Sequence, residues 1–254
     1  IYTGAPMPAG ADCVVIQEEV ERAGTRLHLT GEGPEAPGRN RRPAGGDFRE
    51  GRIVITAGTH LTPRHVALAA LAGHGALALP RSPRISLLST GTELVPPGHD
   101  TLPGQLPASN AVMLETMLAA LPCTIRDQGI IADDLGTLTH CLSGLADNDV
   151  IVSTGGASVG DHDLVKPALE AAGGAIDFWR IRMRPGKPLI CGRLGEALFL
   201  GLPGNPVSAF VTAHLFLLPL VRHLAGCPTP LPERCQVTLG TAMPAAGSRD
   251  NYVR

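Results

Sequence analysis

Aromatic residues are scarce in this chain of 254 residues, 3% of the total, so it has few rings on which the bases of a single-stranded nucleic acid could stack. An excess of positive charge is missing too. Lys and Arg number 21 against 23 Asp and Glu, a formal net charge of -2, which leaves no global attraction for duplex DNA through counterion release. Nucleic acid is therefore not expected as a partner. No apolar run reaches the roughly 20 residues that span a bilayer. The longest, around 209–220, is broken by Thr212, His214 and Pro219, reads as a buried helix and points away from a membrane. The six cysteines (Cys13, Cys123, Cys141, Cys191, Cys227 and Cys235) form no CxxC pair, and no signal peptide or dense disulfide spacing is present. A reduced, cytoplasmic protein is the expectation. The motifs GxxxxGKS/T, GxGxxG and HExxH are all missing, as is a Cys/His zinc spacing among the nine histidines. An initiator Met is also missing, and the first residues already read as a strand entering a turn, so a fragment of a longer chain is expected.

What is present is core and turn material. Hydrophobic residues make up 44% and the mean hydropathy is +0.14, while Gly and Pro together make about a fifth of the chain, below the share that marks low complexity. Residues 3–55 show short β-like runs (13–17, 26–30 and 53–55) between Gly/Pro/Asp turns, a small, mostly β piece. Thr62 followed by Pro63 opens a helix to Leu71. From 83 to 226 strands and helices alternate. Strands are expected at 84–89, 124–131, 149–153, 176–183, 189–191 and 198–200, and helices at 109–121 (capped by Ser109 or Asn110), 134–145, 161–172 and 206–223. This order predicts an α/β fold, a mostly parallel, doubly wound sheet in three layers. A Pro-rich linker and a further strand at 234–239 follow.

Two strand ends resemble each other, Ser89-Thr90-Gly91-Thr92-Glu93 and Ser153-Thr154-Gly155-Gly156-Ala157-Ser158. In open α/β sheets ligands sit beyond the carboxyl ends of the strands, and small residues there let backbone N–H groups approach an anion, so both loops are either walls of one site or simply tight turns. The second continues into Asp161, His162 and Asp163 at an expected helix start, where an acid is commonly a cap. Together with Glu93 these carboxylates suit a hard cation such as Mg²⁺, and Asp133 and Asp134 hold a comparable strand-end position. In an extended strand Arg180, Arg182 and Arg184 would share one face, opposite Trp179, Ile181 and Met183, and with Lys187 they would attract an anionic ligand or protect a solvated edge. Pro203, Gly204, Asn205 and Ser208 surround a helix start, with Asn205 as cap and the helix N-terminus as a further anion site.

These motifs, in order and spacing, resemble the molybdopterin molybdenumtransferase family (bacterial MoeA and the gephyrin E domain). The resemblance rests on residues 89–94, 153–163, 184–188 and 201–208, and is extended by 3–12 and 41–47. It implies the last step of molybdenum cofactor synthesis, in which adenylylated molybdopterin and molybdate are bound, Mg²⁺ assists, AMP is released and the metal enters the dithiolene. It further implies acidic positions tied to activity or Mg²⁺ at Glu93, Asp133, Asp161 and Asp163, with Lys187 catalytic. Substrate contacts are implied at Thr90, Gly91, Ser153, Gly155, Gly156, Ser158, Arg180, Arg184, Pro203, Gly204, Asn205 and Ser208, and from outside the pterin-binding domain at Thr3 and Asp47. Thr92 stands where many relatives carry Asp. In family terms residues 1–46 are part of a β-barrel-like domain, 47–82 part of an elongated linking domain, 83–226 the molybdopterin-binding α/β domain and 227–254 the start of a C-terminal β domain. A homodimer, and contacts with the upstream adenylyltransferase and with molybdoenzymes, are implied as well. The competing readings are a molybdopterin adenylyltransferase, which would not supply the region before Arg84, and a peptide-binding scaffold of the gephyrin E type, which has no need of Glu93, Asp163, Arg184 and Lys187.

Overall fold

The computed structural model describes residues 1–156, 164–243 and 247–252. The chain divides into two compact units, Ile1–Ala57 with Leu61–Gly75, and Gly58–His60 with Ala76–Arg254. In the first unit β1 (Val20–Ala23) and β2 (Arg26–Leu29) form an antiparallel hairpin, and α1 covers Pro63–Leu71. Thr62 opens α1 as expected, its hydroxyl and backbone N–H both meeting the His65 ring at 3.0 and 3.1 Å. The β-like runs at 13–17 and 53–55 are not strands; residues 17–19 make one 3₁₀ turn instead. Neither run finds a partner strand, and β-propensity without a ladder does not fix a strand.

The second unit contains β3 (Arg84–Thr90), β4 (Leu94–Val95), β5 (Leu106–Pro107), α2 (Ser109–Leu118), β6 (Thr124–Ile131), α3 (Leu135–Ser143), β7 (Val150–Thr154), α4 (Val165–Ala171), β8 (Ala175–Arg180), β9 (Met183–Arg184), β10 (Pro188–Leu194), β11 (Ala197–Leu202), α5 (Pro206–Thr212), α6 (Leu218–Leu224) and β12 (Asp250–Asn251). A six-stranded sheet runs in the order β6-β3-β7-β11-β10-β8, in which only β10 opposes its neighbours. β3 and β7 are buried along almost their whole length, as apolar runs covered on both faces should be. On one face Ile85, Leu87, Val150 and Val152 pack with Leu114 and Leu118 of α2 and with Ala213, Leu217 and Val221. On the other, Leu88, Ile151 and Phe199 pack with Leu138 and Leu142 of α3 and Val165 and Leu169 of α4. The expected three-layer α/β arrangement is present.

Several local expectations are corrected. Helix α2 starts at Ser109 with Ala108 as its uncapped N-cap, so neither Ser109 nor Asn110 caps it. Helix α4 begins at Val165, and the expected start at Asp161 lies outside the described residues. α5 and α6 are joined by a π-helical stretch, Ala213–Leu217, into one run, Pro206–Leu224, long and apolar enough by length and composition to cross a membrane. It is amphipathic rather than buried all round: Ala209, Thr212, Ala213, Leu217 and Val221 lie in the core, while Val207 and Phe210 are exposed. Residues 234–239 form no strand.

The amino ends of β3 and β7 are tied by a charged clamp. Arg81 donates two hydrogen bonds to the Asp149 carboxylate at 2.7 and 2.8 Å, and the Arg84 backbone N–H donates a third at 2.6 Å. The Arg81 guanidinium, assisted by that N–H, holds the Asp149 carboxyl down at about 2. A lowered carboxyl stabilises the fold fully above its unfolded value near 3.9, and the contribution is lost as pH falls toward 2. Because the Arg81 side chain is 64% exposed, screening reduces the gain from Asp149 to about 1 kcal/mol. Asp149→Asn is expected to lower stability by about that much at pH 7 and by about half as much at pH 3, read from urea unfolding at both values.

Candidate functional site

The chain runs from β3 to β6 on one side and then returns to β7 on the other side of β3. This reversal opens a crevice beyond the carboxyl ends of β3 and β7, the place where open α/β sheets hold ligands. The crevice widens into a cleft of about 920 Å³. One wall is the loop after β3, with Thr90, Gly91 and Glu93; a second is Thr154, Gly155 and Gly156 after β7; a third is Pro203, Gly204, Asn205 and Ser208 between β11 and α5; and Asp133 enters from the end of β6.

These loops brace one another. Gly155 has φ +89°, and any Cβ there would overlap the carbonyl oxygen of Thr90, so only glycine lets the β7 loop lie this close to β3. Its N–H donates to the carbonyl of Leu202 at 3.3 Å, tying the loop to β11 as well. The Glu93 carboxylate folds back over Gly91, 2.7 Å from where a Cβ would stand. The Thr92 backbone N–H donates to Asp133 at 3.2 Å, joining the ends of β3 and β6. Asp134 takes the plainer role: it caps α3 by accepting from Thr137 N–H and hydroxyl at 2.7 and 2.8 Å, bonds that lower its carboxyl below the usual range. Asn205 caps α5 through Ser208 N–H at 3.1 Å, so the positive end of a long helix faces the cleft.

Other expected residues lie elsewhere. Ser153 is fully buried within β7 and does not line the cleft. The basic strand is not continuous: β8 ends at Arg180, Ile181 and Arg182 fall between strands, and Arg184 lies in β9, so the three arginines do not share one strand face. Arg180 instead stacks its guanidinium 3.7 Å from the Trp179 ring centroid, and Lys166 approaches the same ring at 5.3 Å. Arg184, at the end of β9, and Lys187, just before the cleft-lining Pro188, are both exposed. Thr3 and Asp47 are exposed residues of the amino-terminal unit. Ser158, Asp161 and Asp163 lie outside the described residues. A wall that the motifs did not announce comes from β5 and the first turn of α2: Leu106, Pro107, Ala108, Ser109 and Asn110.

The described lining carries two carboxylates, Glu93 and Asp133, and no Lys, Arg or His. No group of three or more metal-ligating side chains occurs among the described residues. One or two carboxylates completed by phosphate oxygens is the donor set that Mg²⁺ takes, so Glu93 and Asp133 fit that ion.

Residues 86–223 match the family described as probable molybdopterin binding domain, and residues 1–73 match the MoeA N-terminal region (domain I and II). A molybdopterin molybdenumtransferase of Haemophilus influenzae is 36% identical over 227 residues, 89% of this chain and 56% of that protein. Molybdopterin molybdenumtransferase 2 of Mycobacterium tuberculosis is 34% identical over 261 residues, 98% of this chain and 63% of its own. The crystal structure of a molybdopterin biosynthesis MoeA protein from Pyrococcus horikosii superposes with a TM-score of 0.71 at 30% identity, covering 87% of this chain and 55% of that one. The chain thus spans about half to two thirds of the length of these relatives. On the match to both regions, the chain belongs to the molybdopterin molybdenumtransferase family, that of MoeA and gephyrin E.

Proposed function

We propose that this chain binds adenylylated molybdopterin in the cleft beyond β3 and β7 and serves the insertion of molybdenum from molybdate, with release of AMP. The observation that carries this reading is the convergence of three small-residue strand-end loops and a helix N-terminus on one cleft whose charged side chains, among the described residues, are Glu93 and Asp133. A phosphorylated ligand approaching two carboxylates is repelled unless a divalent cation stands between them, which supports Mg²⁺ held by Glu93 and Asp133. When bound, Mg²⁺ would neutralise phosphate oxygens at the bond that releases AMP. The loops of Gly91, Gly155 and Gly204 admit the ligand close to backbone, and Ser208 and the start of α5 face its negative charge. Ser158, Asp161 and Asp163, which follow Gly156 in the sequence, belong to the proposed substrate and metal set. So do Arg180, Arg184 and Lys187 as basic groups for the anions, and Thr3 and Asp47 from the amino-terminal unit.

The match of residues 1–73 to a MoeA region favours this over a single-domain adenylyltransferase. The family division at 46/47, 82/83 and 226/227, a homodimer, contacts with the upstream adenylyltransferase and with molybdoenzymes, and a cytoplasmic setting are part of the same proposal; the six thiols, all free, suit a reducing compartment. The test is calorimetric binding of adenylylated molybdopterin to the 254-residue chain, with and without Mg²⁺ and molybdate. Binding strengthened by Mg²⁺ is expected, and a folded sample that binds nothing would overturn the reading.

A further inference from the structure

Asn110 faces the cleft from the first turn of α2. Its side-chain N–H donates to the carbonyl of Gly204 at 2.8 Å, reaching the loop that leads into α5. That bond settles which way the amide points, because a carbonyl can only accept and the nitrogen must face it. The other atom, Oδ1, is closed to solvent and has no hydrogen-bond partner among the described residues. Thr90 Oγ1, beneath Gly156 in the same cleft, is in the same condition. A buried acceptor without a donor is costly, and an apolar side chain would avoid the cost, so its presence in a ligand cleft calls for a donor that arrives with the ligand.

We propose that Asn110 is a specificity-determining residue, whose Oδ1 accepts a hydrogen bond from an exocyclic N–H of the ligand's fused heterocycle. The inference rests on the reading of the cleft given above. The Gly204 bond fixes the amide in rotation, so Oδ1 is presented as an acceptor and cannot turn to offer N–H. A ring that places a carbonyl in that position meets an acceptor and is rejected, and one that places nothing there leaves Oδ1 unpaired. Since Oδ1 is closed to solvent in the free chain, the wall over it parts as the ligand enters. The Gly204 loop abuts the β7 loop, a Cβ at Gly204 standing 3.4 Å from the Gly155 Cα, so this movement is felt across the cleft.

The adenylylated pterin offers such an amine at either end, on the pterin and on the adenine. The experiment uses two pairs of probes that differ only there: 6-hydroxymethylpterin against 6-hydroxymethyllumazine, in which a carbonyl replaces the amine, and AMP against purine riboside 5′-monophosphate, which lacks the amine. Affinities are measured by calorimetry for the full chain, for Asn110→Ala and for Thr90→Val, with thermal unfolding to confirm folding. The expected result is discrimination of about tenfold or more within one pair for the unchanged chain, falling to about twofold or less in Asn110→Ala. The pair that shows it identifies the ring that Asn110 reads. Discrimination retained in folded Asn110→Ala, or equal affinity within both pairs for the unchanged chain, overturns the role of Asn110 and leaves the cleft reading standing. Failure of all four probes and of adenylylated molybdopterin to bind the folded chain overturns both. If Asn110→Ala does not fold, loss of discrimination in Thr90→Val supports a buried polar reader at this place, and its full retention there counts against one.

Discussion

Glu93→Gln is expected to weaken Mg²⁺ binding in the presence of ligand by about tenfold or more while leaving the fold intact. Glutamine has the shape of glutamate and loses only the charge, and Glu93 is an exposed residue whose carboxylate rests over Gly91 at the cleft rather than in the core. Among the described lining residues it is one of two charged side chains, so its neutralisation halves the negative charge available to a divalent ion. Changes to partners one shell further out typically cost about 10–100-fold in metal affinity, and loss of a ligand itself should cost at least as much. Asp133→Asn should do less to the loop than its removal would, because an Asn oxygen can still accept from Thr92 N–H. Mg²⁺ titration in the presence of adenylylated molybdopterin measures both. A Glu93→Gln variant with unchanged Mg²⁺ linkage would remove Glu93 from the metal set.

The layers of this fold are legible in the sequence because burial on both faces leaves a plain mark. The apolar run of β3 and that of β7 declare themselves, and residues 124–131 form a strand to the expected limits. Strand pairing leaves no such mark. Residues 13–17, 53–55 and 234–239 carry β-prone side chains, yet whether a ladder forms depends on a neighbour that local sequence does not specify. The basic segment shows the limit of period-two reasoning. Alternation holds only while a strand continues, and here β8 stops at Arg180, whose long side chain turns onto the adjacent Trp179 ring. For the cleft, the Gly-rich strand ends were visible because each loop carries its own motif. The wall from Leu106 to Asn110 was not, because it is delivered by the short β4–β5 pairing, and Asn110 in isolation reads only as a cap.

The same close packing of loops makes Gly155→Ala the substitution with the largest expected cost to the fold. Two penalties combine. A positive φ of +89° is strained for any residue with a Cβ, by about 1–3 kcal/mol. The new methyl would also overlap the Thr90 carbonyl oxygen and stand 3.2 Å from Thr90 Oγ1, and that overpacking adds about 1–3 kcal/mol. Neither side yields easily, since Thr90 ends a buried central strand and the Gly155 N–H is held by Leu202. A loss of about 3 kcal/mol follows, roughly 6–12 °C in unfolding midpoint for a chain of this size. Gly173→Ala separates the two penalties, because Gly173 has φ +88° with nothing within 4 Å of the added Cβ. It should suffer the dihedral cost alone and leave ligand affinity unchanged, whereas Gly155→Ala pushes the β7 loop away from β3 and weakens binding. If thermal unfolding shifts the two variants equally, the contact with Thr90 does not constrain the loop, and the cleft is held open by other means.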